Sequence, residues 1–354
     1  MFVKLMNLMM FVFTSMAVFA QPSSSSNKAH WQMIDSNTRA SFRGLSVANE
    51  NVIWITGTRG AFVHSIDGGK TWQADSMAGA THLDFRDVHA VDANTIYLMA
   101  AGPGERSRIY KTNDGGQNWK LQFTMQDSAG FLDGFEFWDE RRGLAFGDPI
   151  DQRLYLLTTN DGGNTWQRIP PENIPPVLKG EYAFAASGTS IVVQGKSQVW
   201  IGTGGAAARV FHSKNSGENW GVANTPMPSG SESAGIFSLA FRDEKNGIAV
   251  GGDYRKPNEV LGSVAITKDG GQTWALIKDA PLEYRSCVAF VPGTKGQMLI
   301  AVGTSGADYS RDGGLTWTRI DDAGFNVVSA GAMTSIWAAG PEGKIGKLLG
   351  VTIK

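Results

Sequence analysis

Short runs of alternating apolar and polar residues, cut by turn-forming glycine and aspartate, repeat along the length of this chain, as in VIWITG and AFVHS. A period of two predicts β-strands, and glycine and threonine are too frequent for a repeat built of helices. One strand type is recognisable by large apolar residues ending in glycine. It occurs seven times: VIWITG (Gly57), TIYLMAAG (Gly102), GLAFG (Gly147), QVWIGTG (Gly202 or Gly204), GIAVGG (Gly251), LIAVG (Gly303) and SIWAAG (Gly340).

A second landmark, Ser/Thr-x-Asp-x-Gly-x-x-Trp, recurs six times. It starts from SIDGGKTW and centres on Asp67, Asp114, Asp161, Asn215, Asp269 and Asp312, closing on Trp72, Trp119, Trp166, Trp220, Trp274 and Trp317. Asp followed by Gly-Gly marks a tight turn needing positive φ, with a carboxylate able to accept N–H groups of its own turn. The tryptophan is expected to pack on the following unit. Each box therefore reads as a structural staple. The acidic positions are separated by 47, 47, 54, 54 and 43 residues. A pitch of about 45 residues holds four short strands and their turns, which is one propeller blade.

Six boxes and seven glycine-ended strands are reconciled by the chain ends. The seventh unit runs through GPEGKIGKL and stops before any box, while HWQMI (His30–Ile34) resembles the strands that follow the boxes. Pairing that N-terminal strand into the last blade would close the ring and remove free sheet edges. The sequence thus predicts an all-β fold, a seven-bladed β-propeller of four-stranded antiparallel blades, as one domain over residues 30–354.

Composition adds compartment and excludes classes. Residues 1–20 carry one charge, Lys4, then an apolar run ending Val18-Phe19-Ala20. This pattern predicts a secretory signal peptide and an exported, periplasmic or extracellular, protein; residues 21–29 read as a disordered tether. The apolar run is shorter than a membrane span needs, and no cysteine follows it for lipid attachment. The net charge is −1, or −2 once a leader carrying Lys4 is removed, which gives nucleic acid no footing. The single cysteine, Cys287 in RSCVAF, predicts a buried inner-strand residue. His82 and His89 lie in no metal-ligand cluster, and no dinucleotide, haem or cysteine-pair motif occurs, so neither metal nor cofactor is expected. A monomer is expected.

If the boxes join third to fourth strands, the opposite face is built from the segments leading into first strands and from second-to-third turns. These are long, irregular and rich in Arg, Asp, Glu and Tyr, and long loops without repeat character are usually functional or disordered. Arg43, Arg86, Arg209 and Arg285, with Tyr254 and Tyr284, are the candidates for binding an anionic group there, whether a protein client, a small acid or a glycan. The alternative is that each arginine pairs with a neighbouring carboxylate as rim scaffolding. Asp133, Asp148, Glu181 and Asp253 are candidate carboxylates for acid–base chemistry of the glycosidase kind.

The boxes resemble the Asp-box, or bacterial neuraminidase, repeat of sialidases and sortilin-type receptors. Over the whole mature chain, FRGLSV, AGPGERSRIYKTNDGG, FWDERRGLAFGDPID, FAASGTS, GGAAARVF, SAGIFSLAF, VGGDY and YRSCVAF resemble, in order, the exported propellers related to the photosystem II stability/assembly factor. That resemblance implies a seven-bladed ring and a non-enzymatic role in assembling a protein complex, with the client held on an Arg-rich patch. The sialidase comparison departs from this chain: sialidases are six-bladed, and FRGL lacks the proline of their Arg-Ile-Pro motif. A sialidase-like hydrolase or lyase is the second reading.

Overall fold

The computed structural model describes residues 28–260, 262–278, 280 and 282–351. The expected signal peptide and most of the tether lie outside the described residues. Seven antiparallel sheets follow one another. Blade 1 comprises Phe42–Val47, Ile53–Gly57, Ala61–Ser65 and Gln73–Ser76; blade 2 Phe85–Ala90, Ile96–Ala100, Arg108–Thr112 and Lys120–Thr124. Blade 3 comprises Leu132–Phe137, Gly143–Ile150, Arg153–Thr159 and Gln167–Arg168; blade 4 Ile191–Gln194, Gln198–Gly202, Arg209–Ser213 and Gly221–Asn224. Blade 5 comprises Ala234–Phe241, Gly247–Asp253, Val264–Thr267 and Ala275–Leu276; blade 6 Cys287–Phe290, Leu299–Gly303, Gly306–Ser310 and Thr318–Asp321. Blade 7 has Val327–Ala332, Ser335–Ala339 and Ile345–Leu349, with His30–Ile34 as its outermost strand.

First strands touch first strands around a closed circle, blade 7 meeting blade 1, so they surround a common axis. Ring closure is as the sequence predicts: His30 faces Leu349 and Ile34 faces Ile345 in one unbroken antiparallel register. Trp31, buried, packs at 4.9 Å on Phe325 of the same blade. Lys28 and Ala29, the end of the expected tether, already lie against Gly350, with Ala29 buried.

The glycine-ended strands are the second strands of their blades, and several are buried at every residue, which is why they read as continuous apolar runs rather than alternating ones. Their final glycine has a packing reason. A Cβ at Gly251 would stand 1.9 Å from the Gly235 carbonyl, so only glycine lets the chain entering the blade pass.

Each box is the turn between third and fourth strands. In the first, the Ser65 hydroxyl donates to Asp67 (2.8 Å) and accepts the Gly69 N–H (2.9 Å), while Asp67 accepts the N–H groups of Lys70 and Thr71 and the Thr71 hydroxyl. These bonds to the ionised form hold the Asp67 carboxyl below its ordinary range, and Asp114 is likewise lowered, to about 2. In the fourth box Asn215 accepts the Asn219 N–H through its amide oxygen, so the turn survives loss of the charge. Every box also donates a backbone N–H to the first-to-second turn of its own blade, as Gly68 does to Asn51 and Gly270 to Lys245.

The expectation that box tryptophans pack on the following unit is corrected. They face back, towards the preceding blade: Trp72 sits edge-on to Trp337 of blade 7 (5.2 Å), and Trp119 to Trp54 and Phe62 of blade 1. The seam is set by the second box glycine. At Gly69 (φ +81°) a Cβ would stand 2.2 Å from the Trp337 ring, and Trp200 of blade 4 donates its indole N–H to the Gly270 carbonyl of the next box. Each box thus anchors a second-strand side chain of the blade before it. Cys287 is fully buried on the first strand of blade 6, as its sequence context predicts.

Candidate functional site

On the face opposite the boxes the chain departs from the repeat. Between blades 3 and 4, Glu181–Tyr182 pairs with Gly204–Gly205, and both extend the sheet of blade 5 inward from Gly235. The following residues, 183–190, touch five blades. The Ala183 N–H donates to Asp148 of blade 3 (3.2 Å); the Ala185 and Ala186 carbonyls accept from Arg86 of blade 2 (3.4 Å) and Arg43 of blade 1 (3.2 Å). The Ser187 hydroxyl donates to the Ser286 carbonyl, at the entrance to blade 6, and the Thr189 hydroxyl to Ser238 of blade 5. Only a segment lying on the axis can reach all of these. FAASGTS therefore plugs the channel, and its small side chains are what fit between first strands, as Gly188 does against Asp87.

The four candidate arginines separate into two kinds. Arg285 is 0% exposed and Arg209 8%. The Arg285 guanidinium donates to Asp308 (2.8 Å), the Tyr284 carbonyl (2.8 Å) and Ser305 (3.0 Å). Arg209 donates through Nε to both oxygens of Glu181 (2.9 and 3.0 Å) and through a terminal nitrogen to the Pro176 carbonyl. These two are buried scaffold, which corrects their placement in a binding patch: desolvated and saturated with partners, neither presents charge to a ligand. Arg43 and Arg86 are half-buried beside the plug. Arg86 pairs with Asp84 at 2.8 Å; Arg43 has no ion pair among the described residues. Burial and the neighbouring Arg86 both hold the Arg43 pKa below its ordinary value. Two like charges thus lie side by side, one of them paired with a carboxylate.

The carboxylates are engaged in structure. Glu181 is held by Arg209 and by the Thr203 hydroxyl (2.6 Å), and Asp253 accepts the Arg255 N–H and the Ser231 hydroxyl. Asp133 and Asp148 act on each other: burial, then Asp148, pushes Asp133 well above the carboxylate range, and burial raises Asp148 to about 6. Asp148 is spent on the plug, and one Asp133 oxygen is buried without a partner. Of the four candidate carboxylates, Asp148, Glu181 and Asp253 are thus each tied to a structural partner.

The raised pair has a consequence for stability. A carboxyl whose folded pKa lies above its unfolded one near 4 holds the native state best while protonated, and that contribution is lost as pH rises through about 6. Asp148→Asn keeps an acceptor for Ala183 and removes the titration. The variant is expected to match the natural chain near pH 4 and to exceed it by ~2 kcal/mol at pH 7. Urea titrations at the two pH values measure this; parallel stability–pH curves would refute it.

Tyr284 is buried and Tyr254 is 44% exposed, and both belong to an aromatic group next to the plug. Sequence reasoning missed the other members, Phe184 and Phe237, together with Asp87, a buried carboxyl that accepts the Phe135 N–H (2.9 Å). The available signal was the 54-residue pitch around FAASGTS.

No protein-family model matches the chain. It is similar to the photosystem II assembly lipoprotein Ycf48 of Synechococcus sp., 26% identical over 297 residues that cover 78% of this chain and 77% of the relative. It is similar also to that of Picosynechococcus sp., 26% identical over 321 residues, 76% and 84%. A solved structure of YCF48 bound to D1 peptide superimposes with TM-score 0.64 at 16% identity, over 90% of this chain and 96% of that one. YCF48 from Cyanidioschyzon merolae gives 0.65 at 16%, over 90% and 99%. At 16% these structures speak for the seven-bladed fold, and the sequence relatives carry the likeness to photosystem II assembly proteins.

Proposed function

We propose that this propeller is a non-catalytic assembly protein that binds a segment of a client protein on the face opposite its boxes, at Arg43 and Arg86. The observation that carries the reading is the arginine pair itself. Two guanidiniums stand together at the mouth of a plugged axis, one of them without a carboxylate partner among the described residues, and each donates to a plug carbonyl through a single long bond. Such donors favour a carboxylate over a neutral carbonyl, because bonds to a charged acceptor are roughly twice as strong. The relatives named as photosystem II assembly lipoproteins, and the neighbour bound to a D1 peptide, support a protein client in an exported setting. Among the described residues no helix is long and apolar enough to cross a membrane.

The test is affinity capture from the exported fraction of the native host, comparing the mature protein with Arg43→Ala/Arg86→Ala. Arg285 is left intact because its loss would destabilise the bait. The expected result is a client retained by the natural chain and weakened at least tenfold in the variant, the equivalent of losing one charged hydrogen bond of ~1.5 kcal/mol or more. Equal retention by both baits would remove this site from the function.

A further inference from the structure

We propose that the site has a second half: an aromatic shelf beside the arginine pair that takes an aromatic side chain of the client, so that the recognised element is an extended peptide with an acidic residue one to three positions from Phe, Tyr or Trp. This rests on the protein-binding reading above.

The shelf is separate from the cores between blades. Those are continuous apolar clusters between neighbouring sheets, whereas Ala186, Phe237 and Tyr284, with half-buried Phe184, form a small cluster of their own on the plugged face. Phe184 and Phe237 are stacked, with centroids 4.0 Å apart and planes 11° from parallel. Tyr254 stands perpendicular to both, at 6.4 and 6.1 Å, and Tyr182 is edge-on to Phe184 at 5.6 Å. Tyr284 closes the far side, edge-on to Phe237 at 4.9 Å. Phe237 and Tyr284 join blades 5 and 6, and the rest of the group lies outside that contact. Phe184 belongs to the plug, and Tyr254 is 44% exposed on the second-to-third turn of blade 5. Perpendicular rings around a stacked pair offer edge and face contacts together, which aromatic guests prefer.

Its position relative to the charge sets the peptide. Phe184 immediately precedes Ala185 and Ala186, whose carbonyls receive Arg86 and Arg43. At about 3.3 Å per residue of extended chain, the shelf and the arginine pair are one to three residues apart for a peptide laid along the plug. The Arg255 guanidinium lies over the Tyr254 ring at 5.9 Å and pairs with Glu232 at 3.7 Å, so the open rim carries an ion pair, while the site's cation without one among the described residues lies on the Arg43 side. The arginine pair at one end of an aromatic floor matches an acidic–aromatic peptide and disfavours a basic one.

The test uses fluorescence anisotropy of synthetic peptides about eight residues long, with one Asp and one Phe spaced one, two or three positions apart in a Gly/Ser background. Control peptides carry Ala for Phe or Asn for Asp. They are titrated with the mature protein, with Tyr254→Ala and Tyr254→Phe, and with Arg43→Ala/Arg86→Ala. The natural chain is expected to bind the best Asp–Phe peptide about tenfold more tightly than its Ala control. Tyr254→Ala should erase that preference while leaving the Ala control within about twofold, and Tyr254→Phe should keep it, since the ring and not the hydroxyl forms the shelf. Tyr254 is exposed, so its loss leaves the fold intact; unchanged melting curves verify this. If Phe and Ala peptides bind equally and both still need the arginines, the shelf is overturned and protein binding at the arginines stands. If no Asp–Phe peptide binds, the shelf is overturned too, and unchanged client capture by the arginine variant would take the arginine site with it.

Discussion

A chain beginning at residue 36, lacking the strand His30–Ile34, is expected not to fold cooperatively. The strand supplies the outer edge of blade 7 in five residue pairs, and it covers Phe325 with Trp31. Loss of the buried Trp31 side chain alone is expected to cost ~3–5 kcal/mol. The ladder bonds to Ile345–Leu349 and the seam they protect come on top of it. A domain stable by about 5–15 kcal/mol does not survive that sum. A ring makes the effect global, because a propeller opened at one blade exposes a sheet edge with no replacement partner. Urea denaturation followed by near-ultraviolet circular dichroism measures the outcome. A synthetic peptide covering residues 28–36 should restore the native signal when added in trans. An unchanged urea midpoint after the deletion would show that closure contributes nothing.

Arg285→Met is expected to lower stability by ~3–5 kcal/mol, the usual result of stripping one partner from a buried ion pair. Asp308 is 4% exposed, and burial already pushes its carboxyl upward against the pull of Arg285. Without that guanidinium Asp308 keeps only Arg319, at 3.9 Å, as a cationic neighbour among the described residues, and must take up a proton or remain a poorly compensated buried charge. Protonation is cheap at low pH and costly at neutral pH. The deficit should therefore be larger at pH 7 than at pH 4, since a carboxyl raised in the folded state loses its contribution as pH rises. Arg285→Met/Asp308→Leu is expected to recover most of the loss, because two apolar groups of similar volume leave nothing unpaired. A double variant no better than the single would show that volume, and not charge, sets the effect. The same pair explains why Arg285 is a poor probe of client binding: its removal acts on the fold first.

Blade number, box chemistry and ring closure were legible in the chain because they follow from local rules. A Ser/Thr–Asp turn satisfies its own N–H groups within a few residues, as Ser65 and Asp67 do, and a second strand buried on both faces must read as an apolar run, as Ile53–Gly57 does. Repetition then fixes the order of sheets, and HWQMI at one end complements the missing strand at the other.

The functional face was legible only as a set of candidates. Arg43, Arg86, Arg209 and Arg285 occupy comparable places near the starts of strands, yet Arg209 and Arg285 meet Glu181 and Asp308, distant in sequence, and sink into the scaffold. The plug was hidden for the same reason: nothing within FAASGTS says that Ala185 and Ala186 will meet side chains 99 and 143 residues earlier. The sequence by itself determined the repeat and hence the ring, since each staple is built from residues close together in the chain. The tertiary structure alone decided which charges stay free, because burial and pairing on the axis depend on which blades the ring brings face to face.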